Sequence, residues 1–377
     1  MTNDRKIPIR PVPPGSLIGI FGGGQLGRMT ALAAARLGYR CHVFTPETDS
    51  PAAQVAAETT IASYDDVDAL RAFAAKIDVV TIEFENIPVD SVRLVAEQVI
   101  VRPDWNVLEV AQDRIQEKTF FNTIGLETAP WRRVVGQGNL ARAVSELGRP
   151  AILKTARFGY DGKGQVRIDE ETHLGHAWHQ IGSGGVGILE ASIDFAHEIS
   201  VIIARGLDGA WVAFDPVENT HTNHVLHTSR VPAQVIPSLA AAAVEAGRRT
   251  ADALDLVGVL AVEMFVTCDG RLLMNEMAPR PHNSGHWTLD ACRTDQFEQL
   301  VRAICGLPLG TSERHADAEM TNLLGDEVVR WLDILGDPSA RLHLYGKKDV
   351  HPGRKMGHVT RLFPRADDLV QRNSQNA

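Results

Sequence analysis

Residues 259–287 read VLAVEMFVTCDGRLLMNEMAPRPHNSGHW, and this stretch decides the fold of the central part of the chain. Two apolar runs flank Asp269-Gly270, a dipeptide that favours a two-residue hairpin turn. Counting outward from that turn places Glu263 opposite Glu276. Because side chains alternate along a strand, both carboxylates point from the same face of the predicted hairpin. The same count pairs Thr267 with Leu272 and Phe265 with Met274.

The opposed acids of this hairpin need a positive partner, because like charges facing each other destabilise a sheet. Carboxylate oxygens are ligands that Mg²⁺ prefers, so the pair predicts a magnesium site. An exposed pair on a solvated face is the alternative. A dense polar cluster directly after the second strand favours the metal interpretation, and it consists of Arg280, His282, Asn283 and His286.

The composition is that of a soluble globular protein with two or three domains, since 44% of the 377 residues are hydrophobic and 23% are charged. The formal net charge of −9 gives no support for nucleic-acid binding, which leaves a basic footprint. No apolar run is long enough for a membrane span, and residues 1–14 resemble a mobile tail rather than a signal peptide. Four cysteines without metal-type spacing predict reduced thiols in a cytoplasmic protein.

Alternating strands and helices in the first hundred residues predict a doubly wound parallel sheet. Strands are expected at 17–21, 40–44 and 78–84, with helices at 28–37 and 65–75. One helical region, with Asp104 as its N-cap, is expected to run to residue 123. Beyond it we expect strands at 151–154, 187–190, 198–204 and 211–214, helices at 140–147 and 238–254, and short strands after residue 308.

Two glycine-rich loops are candidates for phosphate binding. Gly22-x-Gly24-x-x-Gly27 lies between a strand and a helix, as in a dinucleotide fingerprint, but the second strand lacks the terminal acid of that fingerprint. Tight-turn packing and general phosphate binding are equal alternatives. Residues 159–165 lie between strands, which favours a flap that lays amides and Lys163 along a polyphosphate, with Lys154 beside it. An ordinary hairpin turn and a solvated lysine are the alternatives.

Two further groups of charged residues are candidates for binding the substrate. Glu83 and Glu85 follow a strand at the sheet edge where α/β proteins bind ligands, and they either hold ribose hydroxyls or cap the adjacent turn. A basic cluster near the C-terminus suits a phosphate monoester, although a solvated basic face is the usual explanation. It comprises Lys347, Lys348, Arg354 and Lys355.

Four motifs in order, GGGQLGRM, RFGYDGKGQ, NEMAPRPHNSGHWT and YGK…GRKMGH, resemble N5-carboxyaminoimidazole ribonucleotide synthetases, ATP-grasp enzymes of purine biosynthesis. The resemblance runs from about residue 17 to residue 363. It implies an α/β ATP-grasp fold with a Rossmann-like N-terminal domain (15–113), an ATP-grasp domain (114–310) with a flap at about 130–204, and a small β-rich C-terminal domain (311–377). It also implies a homodimer.

The resemblance further implies that ATP phosphorylates bicarbonate, and that the product carboxylates the exocyclic amine of 5-aminoimidazole ribonucleotide. A closing flap would exclude water, and Asp161 would orient the amine or accept its proton. Arg280, His282 and Asn283 would hold the bicarbonate-derived group. Mg²⁺ would bind Glu263 and Glu276. The ATP contacts implied are Arg114, Lys154, Gly159, Tyr160, Asp161, Gly162, Lys163, Gly164, Gln165, Glu190, Ala191, Ser192, Ile193, Glu198, His221, Asn275 and Glu276. The ribonucleotide contacts implied are Gly24, Gln25, Leu26, Glu83, Tyr160, Lys347 and Arg354.

Three positions depart from the pattern. Ala278 stands where many ATP-grasp enzymes have a metal-binding asparagine, and simple alternation places Asn275 on the face opposite Glu276. Ser192 replaces a frequent aromatic residue at the adenine. Alternatives from other classes are a formate-dependent ATP-grasp transformylase, a Rossmann-type oxidoreductase and a non-catalytic nucleotide-binding regulator.

Overall fold

The N-terminal part of the chain forms a four-stranded parallel sheet in the order β3-β2-β1-β4, as seen in a computed structural model that describes residues 10–157, 159, 164–182 and 185–365. The predicted parallel sheet is confirmed. The short strand β3 was not expected, because its sequence ETTI carries no apolar run. The elements are β1 (Leu17–Phe21), α1 (Gln25–Arg36), β2 (Arg40–Thr45), β3 (Glu58–Ile61), α2 (Val67–Ala74), β4 (Val79–Ile82) and α3 (Val89–Ala96).

The helical region after this sheet is two helices, α4 (Trp105–Ala111) and α5 (Arg114–Thr123), instead of the single one expected. Asp104 caps the first helix as predicted, by accepting from the amide of Asn106. Asp113 caps the second helix, by accepting from the amides of its first turn. The break therefore comes from a second N-cap, and it turns α5 toward the central sheet.

A smaller antiparallel sheet follows, in the strand order β5-β8-β6-β7. Its core, which includes Val134, Leu153, Trp178 and Leu189, lies between the sheet and two helices. This sheet positions Lys154 and Glu190 on neighbouring strands. Its elements are β5 (Trp131–Val134), α6 (Gln137–Leu147), β6 (Ala151–Thr155), β7 (Gln165–Ile168), α7 (Leu174–Gln180) and β8 (Gly187–Ala191).

The largest sheet runs in the order β14-β13-β9-β11-β12-β15-β17-β16, with β10 paired to β9. Small residues let α8 lie close on it, and a Cβ on Gly247 would stand 2.9 Å from the Ile203 side chain. The elements before the first 3₁₀ turn are β9 (Phe195–Arg205), β10 (Trp211–Ala213), β11 (Val217–Thr222), β12 (Val225–Val231), α8 (Pro237–Ala253), β13 (Gly258–Thr267) and β14 (Leu272–Ala278).

The C-terminal strands continue this same sheet instead of forming one of their own. The N-terminal sheet is joined to it by α1 and α10, where Arg36 lies 2.6 Å from Asp295. In the part of the chain that the structure describes, no helix combines the length and apolarity required to cross a membrane. The remaining elements are a 3₁₀ turn (Asn283–Gly285), α9 (Thr288–Ala291), α10 (Gln296–Ile304), β15 (Asp317–Leu324), a second 3₁₀ segment (Gly325–Arg330), α11 (Trp331–Leu335), β16 (Ala340–Leu344) and β17 (Lys355–Phe363).

Candidate active site

The acidic hairpin, which we define as β13 and β14, places Glu263 directly opposite Glu276 as predicted. The turn does not have the predicted length. Thr267 pairs with Arg271, so the loop has three residues, and Gly270 adopts a φ of +83° that favours glycine. The longer loop shifts the register by one residue near the turn. The predicted pairs were therefore wrong, and the observed ones are Phe265 with Leu273 and Val266 with Leu272.

A β-bulge at Asn275 restores the register. Met264 pairs with Met274 and Glu263 pairs with Glu276, so Asn275 has no residue opposite it. Because Met274 and Glu276 lie on opposite faces, alternation does not assign the extra residue to either face. Alternation therefore no longer decides whether Asn275 points away from Glu276, and that expectation stays a prediction. The Asn275 Oδ1 atom is buried and has no hydrogen-bond partner.

Each acid of the hairpin lies beside a side-chain nitrogen of another residue. Arg114 Nη1 lies 3.0 Å from Glu276 Oε2, and His282 Nε2 lies 3.0 Å from Glu263 Oε1. Burial acts to raise the pKa of Glu276, but the charges around it, Arg114 foremost, lower it to about 2. Glu276 is therefore ionised at neutral pH, with 42% of its side chain exposed.

The hairpin carboxylates fit Mg²⁺. This ion needs one or two protein carboxylates and completes its shell with water and phosphate oxygens. Glu263 and Glu276 supply two such groups, and the unpartnered Oδ1 of Asn275 adds a third oxygen on the same strand. Across the described residues, no group of three or more His, Cys, Asp or Glu side chains forms a metal cage. The fit thus rests on the two glutamates.

A buried charge cluster lies beside the hairpin. Lys154 Nζ and Lys118 Nζ lie 3.0 and 3.6 Å from the same oxygen of Glu190, while the other oxygen has no partner. Burial alone would raise the pKa of Glu190, but the charges of Lys118, Lys154 and Arg114 lower it to about 2. This cluster can exchange its internal ion pairs for contacts with nucleotide phosphates.

Strands β9 and β11 carry two of the predicted ATP contacts, Glu198 and His221, which form a pair. His221 Nδ1 lies 2.6 Å from Glu198 Oε2. Burial acts to lower the pKa of His221, but the hydrogen bond to Glu198 and the charges of Glu198, Glu263 and Glu276 raise it. An imidazolium is therefore favoured close to the acidic hairpin.

The side chains of Arg280 and His282 are both oriented by hydrogen bonds to neighbouring residues. Arg280 Nε and Nη2 donate to the two carboxylate oxygens of Glu85 at 3.0 and 2.5 Å, a bidentate pair. His282 Nδ1 lies 2.9 Å from the hydroxyl oxygen of Ser284, which leaves its Nε2 facing Glu263. The side chain of Gln296 fixes the His282 backbone by accepting from its amide and donating to its carbonyl.

Asn283 and His286, from the same polar cluster, have different environments. Asn283 is buried, and neither its Nδ2 nor its Oδ1 has a hydrogen-bond partner. A buried unpartnered amide costs free energy, and a polar ligand would relieve that cost. His286 lies in the core instead, 4.8 Å from the ring of His358, and burial lowers its pKa well below the usual range. Its Nδ1 lies 3.1 Å from Gln296 Nε2, so His286 contacts the same glutamine that fixes the His282 backbone.

The glycine loop, residues 22–27, binds an anion of the protein itself. Glu83 accepts from the amide of Gly24 and, at 2.9 Å, from the amide of Gly27. Burial raises the pKa of Glu83, while these amides and the charges of Arg280 and Lys347 act to lower it. Glu83 thus caps the glycine loop, which is distant along the chain, and not the turn that follows its own strand. The predicted neighbours Gln25 and Leu26 begin α1 directly beside it.

The basic turn, residues 345–355 between β16 and β17, lies against the N-terminal sheet. Gln54 Nε2 donates to Gly346 O at 2.9 Å. Burial, and then the charge of Arg354, lowers the pKa of Lys347 to about 8. Arg354 is half-buried and donates to the carbonyl of Asp349 at 2.9 Å. The two cations are close enough to repel each other, which suits a phosphate between them.

Of the predicted flap loop, residues 159–165, the structure describes Gly159, Gly164 and Gln165. Gly159 O accepts from Arg114 Nη2 at 3.4 Å, and Gln165 pairs with Lys154 where β7 begins. Gly164 accepts from the amide of Thr155. Beyond β8, the Ser192 amide donates to Pro150 O, and this segment also carries Ala191 and Ile193. The predicted contacts that lie outside the described residues are Tyr160, Asp161, Gly162 and Lys163.

The sequence reasoning did not predict that Glu85, already a candidate, pairs with Arg280, and it missed two charged residues that support the site, Glu117 and Lys118 on α5. The last two lie three and four residues after Arg114, a spacing that places all three on one helix face. That spacing was the available signal. Burial, and then the charge of Glu276, raises the pKa of Glu117 to about 8.

Comparison with known proteins settles the family. A ribonucleotide synthetase preATP-grasp domain matches residues 16–112, an ATP-grasp domain matches residues 119–297, and a phosphoribosylaminoimidazole carboxylase C-terminal domain matches residues 318–372. An N5-carboxyaminoimidazole ribonucleotide synthase of Brucella melitensis is 51% identical over 354 residues, covering 93% of this chain and 98% of that protein. The chain belongs to the N5-carboxyaminoimidazole ribonucleotide synthase family. It is an ATP-dependent ligase with the ATP-grasp fold.

Solved structures of N5-carboxyaminoimidazole ribonucleotide synthases agree with this family. The Staphylococcus aureus N5-carboxyaminoimidazole synthetase, complexed with ADP, superimposes with a TM-score of 0.90 at 35% identity over 97% of this chain and 98% of that one. The Aspergillus clavatus N5-carboxyaminoimidazole synthase, in complex with ADP and 5-aminoimidazole ribonucleotide, gives a TM-score of 0.87 at 30% identity over 94% and 95% of the two chains. The resemblance read from the four motifs is confirmed.

Proposed function

We propose that this enzyme uses ATP and bicarbonate to carboxylate the exocyclic amine of 5-aminoimidazole ribonucleotide, forming N5-carboxyaminoimidazole ribonucleotide for purine biosynthesis. The observation that carries the proposal is the acidic hairpin opening onto Arg280, His282 and Asn283. The names of the relatives and the bound ligands of the Aspergillus clavatus protein support the same reaction.

The nucleotide side of the site is formed by Arg114, Lys154 and the ends of the flap. Both cations are held on carboxylates, 3.0 Å from Glu276 and 3.0 Å from Glu190. Each of these cations can exchange its carboxylate partner for a phosphate of ATP, which carries a denser negative charge than a carboxylate. Mg²⁺ bound to Glu263 and Glu276 would neutralise charge that develops on the γ-phosphoryl oxygens. The other proposed ATP contacts are Gly159, Gly164, Gln165, Glu190, Ala191, Ser192, Ile193, Glu198, His221 and Asn275.

The bicarbonate side of the site is formed by Arg280, His282 and Asn283, which follow β14. Bicarbonate is a poor electrophile because hydroxide is a poor leaving group, and phosphorylation makes phosphate the leaving group instead. Arg280 is oriented by Glu85 and is suited to bind a carboxylate or phosphate edge. The His282 ring and the unpartnered Asn283 amide offer further hydrogen bonds to the bicarbonate-derived group.

The ribonucleotide side of the site lies between the glycine loop and the basic turn. Lys347 and Arg354 would hold the phosphate, and the segment Gly24, Gln25 and Leu26 would contact the substrate. Glu83 retains acceptor capacity for a hydroxyl or amine, since each carboxylate oxygen has two lone pairs. The opposing charges of Lys347 and Glu83 therefore define two ends of one polar pocket. We also propose that the protein is cytoplasmic and forms a homodimer. Light scattering on the purified protein would test the dimer.

The test is ADP release measured with 5-aminoimidazole ribonucleotide and either bicarbonate or formate, together with ¹⁴C-bicarbonate incorporation trapped before the product decays. We expect ADP release and incorporation to require ATP, bicarbonate and the ribonucleotide together. Formate-dependent ADP release would support the transformylase instead. Incorporation that is independent of ATP would refute the proposed reaction.

A further inference from the structure

Strand β14 lies at the edge of the large sheet. Its outer side is bonded by side chains of α5 and, at Met274, by the backbone of residues 127 and 128. Glu117 Oε1 accepts from the amide of Met277 at 2.6 Å. Lys118 Nζ donates to the carbonyl of Met274 at 3.5 Å. These two bonds lie on either side of the bulge that contains Asn275. Helix α5 thus bonds β14 at Met274 and at Met277, on either side of Asn275 and Glu276.

Both α5 side chains are buried, with 2% of Glu117 and 1% of Lys118 exposed. Burying ionisable side chains is costly, and apolar side chains of similar volume fill such space at lower cost. What the polar groups provide is direction, because a hydrogen bond fixes a backbone atom and an apolar contact does not. Their use here points to a demand on the geometry of β14.

The bulge is the feature that needs fixing. Near the turn, Val266 pairs with Leu272 and Met264 with Met274. If that register continued without a bulge, the residue opposite Glu263 would be Asn275, and Glu276 would move to the other face. The three-residue loop by itself favours this wrong register. The extra residue must therefore be retained by contacts outside the hairpin.

We propose that Glu117 is a positioning residue that retains the bulge, and so keeps Glu276 opposite Glu263, by accepting the amide hydrogen of Met277. This inference rests on the proposed function, in which Glu263 and Glu276 together hold Mg²⁺. Glu117 does not touch the reacting atoms, and it acts through the backbone of β14. Lys118 supports the other side of the bulge and also orients Glu190.

The test compares Glu117→Ala, which removes the acceptor, with Glu117→Gln, which keeps an amide oxygen for Met277. Leu70→Ala in α2 is the control. Leu70 is a buried residue of the N-terminal core, so its substitution lowers stability without a change at β14. Glu276→Gln is the reference for loss of the metal carboxylate. Two properties are measured on the full-length protein: amide exchange of peptides spanning 272–278 without ligands, and the Mg²⁺ concentration for half-maximal ADP release.

For Glu117→Ala we expect amide exchange in β14 to be about tenfold faster and the half-activating Mg²⁺ concentration to rise about tenfold, as for loss of one buried hydrogen bond. The KM for the ribonucleotide should stay within about twofold of wild type. Glu117→Gln should restore both properties. Leu70→Ala should lower the melting temperature and change neither of them.

An unchanged Mg²⁺ requirement in Glu117→Ala, with a lower melting temperature like that of Leu70→Ala, would overturn the inference and leave Glu117 a packing residue. If Glu117→Ala does not fold, Glu117→Asp decides, because its shorter side chain withdraws the acceptor while keeping a carboxyl group. Wild-type amide exchange and a wild-type Mg²⁺ requirement in Glu117→Asp would also overturn the inference. Failure of the proposed function looks different. Wild-type protein would then lack bicarbonate-dependent ADP release, while the exchange differences in β14 would persist.

Discussion

The glycine loop and the acidic hairpin show opposite ways of placing glutamate in a site. In the glycine loop, Glu83 is bonded by the amides of Gly24 and Gly27, so its partners belong to the backbone and stay in place. In the acidic hairpin, Glu263 and Glu276 are paired with His282 and Arg114, whose side chains can move. Backbone partners make Glu83 part of the scaffold. Side-chain partners leave the hairpin free to exchange them for a ligand.

This difference predicts that substitutions in the hairpin change catalysis more than stability, and that substitutions at the loop do the reverse. It also separates two substrates, because the hairpin lies on the nucleotide side of the site and the loop lies beside the basic turn.

The largest effect is expected for Glu276→Gln, which removes one of two metal carboxylates. Mg²⁺-dependent ADP release should fall at least about hundredfold, since stabilisation of the developing phosphoryl charge is lost. Circular dichroism should show a native fold. The Arg114 pair is lost as well, so no gain in melting temperature from relieved repulsion is expected. Wild-type turnover in this variant would exclude Glu276 as the metal ligand.

Arg280→Ala should abolish the bicarbonate-dependent part of ADP release, and His282→Ala should bind ATP nearly normally yet form little carboxylated product. Both residues follow β14 and lie away from the adenine side. Nucleotide titration, ADP release and ¹⁴C-bicarbonate incorporation are the measurements. Undiminished incorporation in both variants would show that the bicarbonate group is held elsewhere.

Arg354→Ala tests the loop side of the site. A charge-assisted hydrogen bond to phosphate contributes about 1.5–3 kcal/mol, so the KM for the ribonucleotide should rise about ten- to hundredfold. The KM for ATP should stay within about threefold. Arg330→Ala is the control, because it removes an exposed arginine that is not a proposed substrate contact. Equal rises in both KM values would contradict the division into two sides.

Glu83→Gln should reduce the free energy of unfolding by about 1–3 kcal/mol, because the new amide hydrogens would face the donors of Gly24 or Gly27. Urea unfolding measures this loss. Glu47→Gln, an exposed acid beside the same loop, is the control and should change stability little. Unaltered stability in Glu83→Gln would mean that the loop does not depend on its internal anion.

The smallest effect concerns pH. Lys347 has a pKa lowered to about 8 by burial and by Arg354, so it loses its charge as the pH rises through that value. The neutral amine binds phosphate less well, and the KM for the ribonucleotide should rise several-fold between about pH 7 and pH 9. Lys347→Arg should remove most of this dependence. A flat profile in the wild type would place the phosphate away from Lys347.

Motif order predicted the family and the fold, and alternation predicted that Glu263 faces Glu276. That second prediction held although the turn was wrong, because the longer loop and the bulge at Asn275 each shift the register by one residue and compensate. A sequence pattern reports the sum of such shifts and not the individual ones. The bulge depends on contacts with α5, which are distant along the chain.

Glu117 and Lys118 were missed for a related reason. On a helix, charged residues normally predict a solvated face, and only the packing of α5 against β14 reveals that this face is buried. Glu85 was noticed, but its bidentate pair with Arg280 joins residues 195 positions apart. Neither partner carries a local signal for the other.

Strand β17, which ends at Phe363, lies inside the large sheet between β15 and β16. During synthesis, the residues up to 363 must therefore have left the ribosome before this sheet can close. The N-terminal sheet is complete by residue 82 and can form much earlier. Until release, β15 exposes an unpaired edge, the kind of edge that associates with other chains. Strand β17, the last one among the residues that the structure describes, thus determines how long the growing protein exposes this edge.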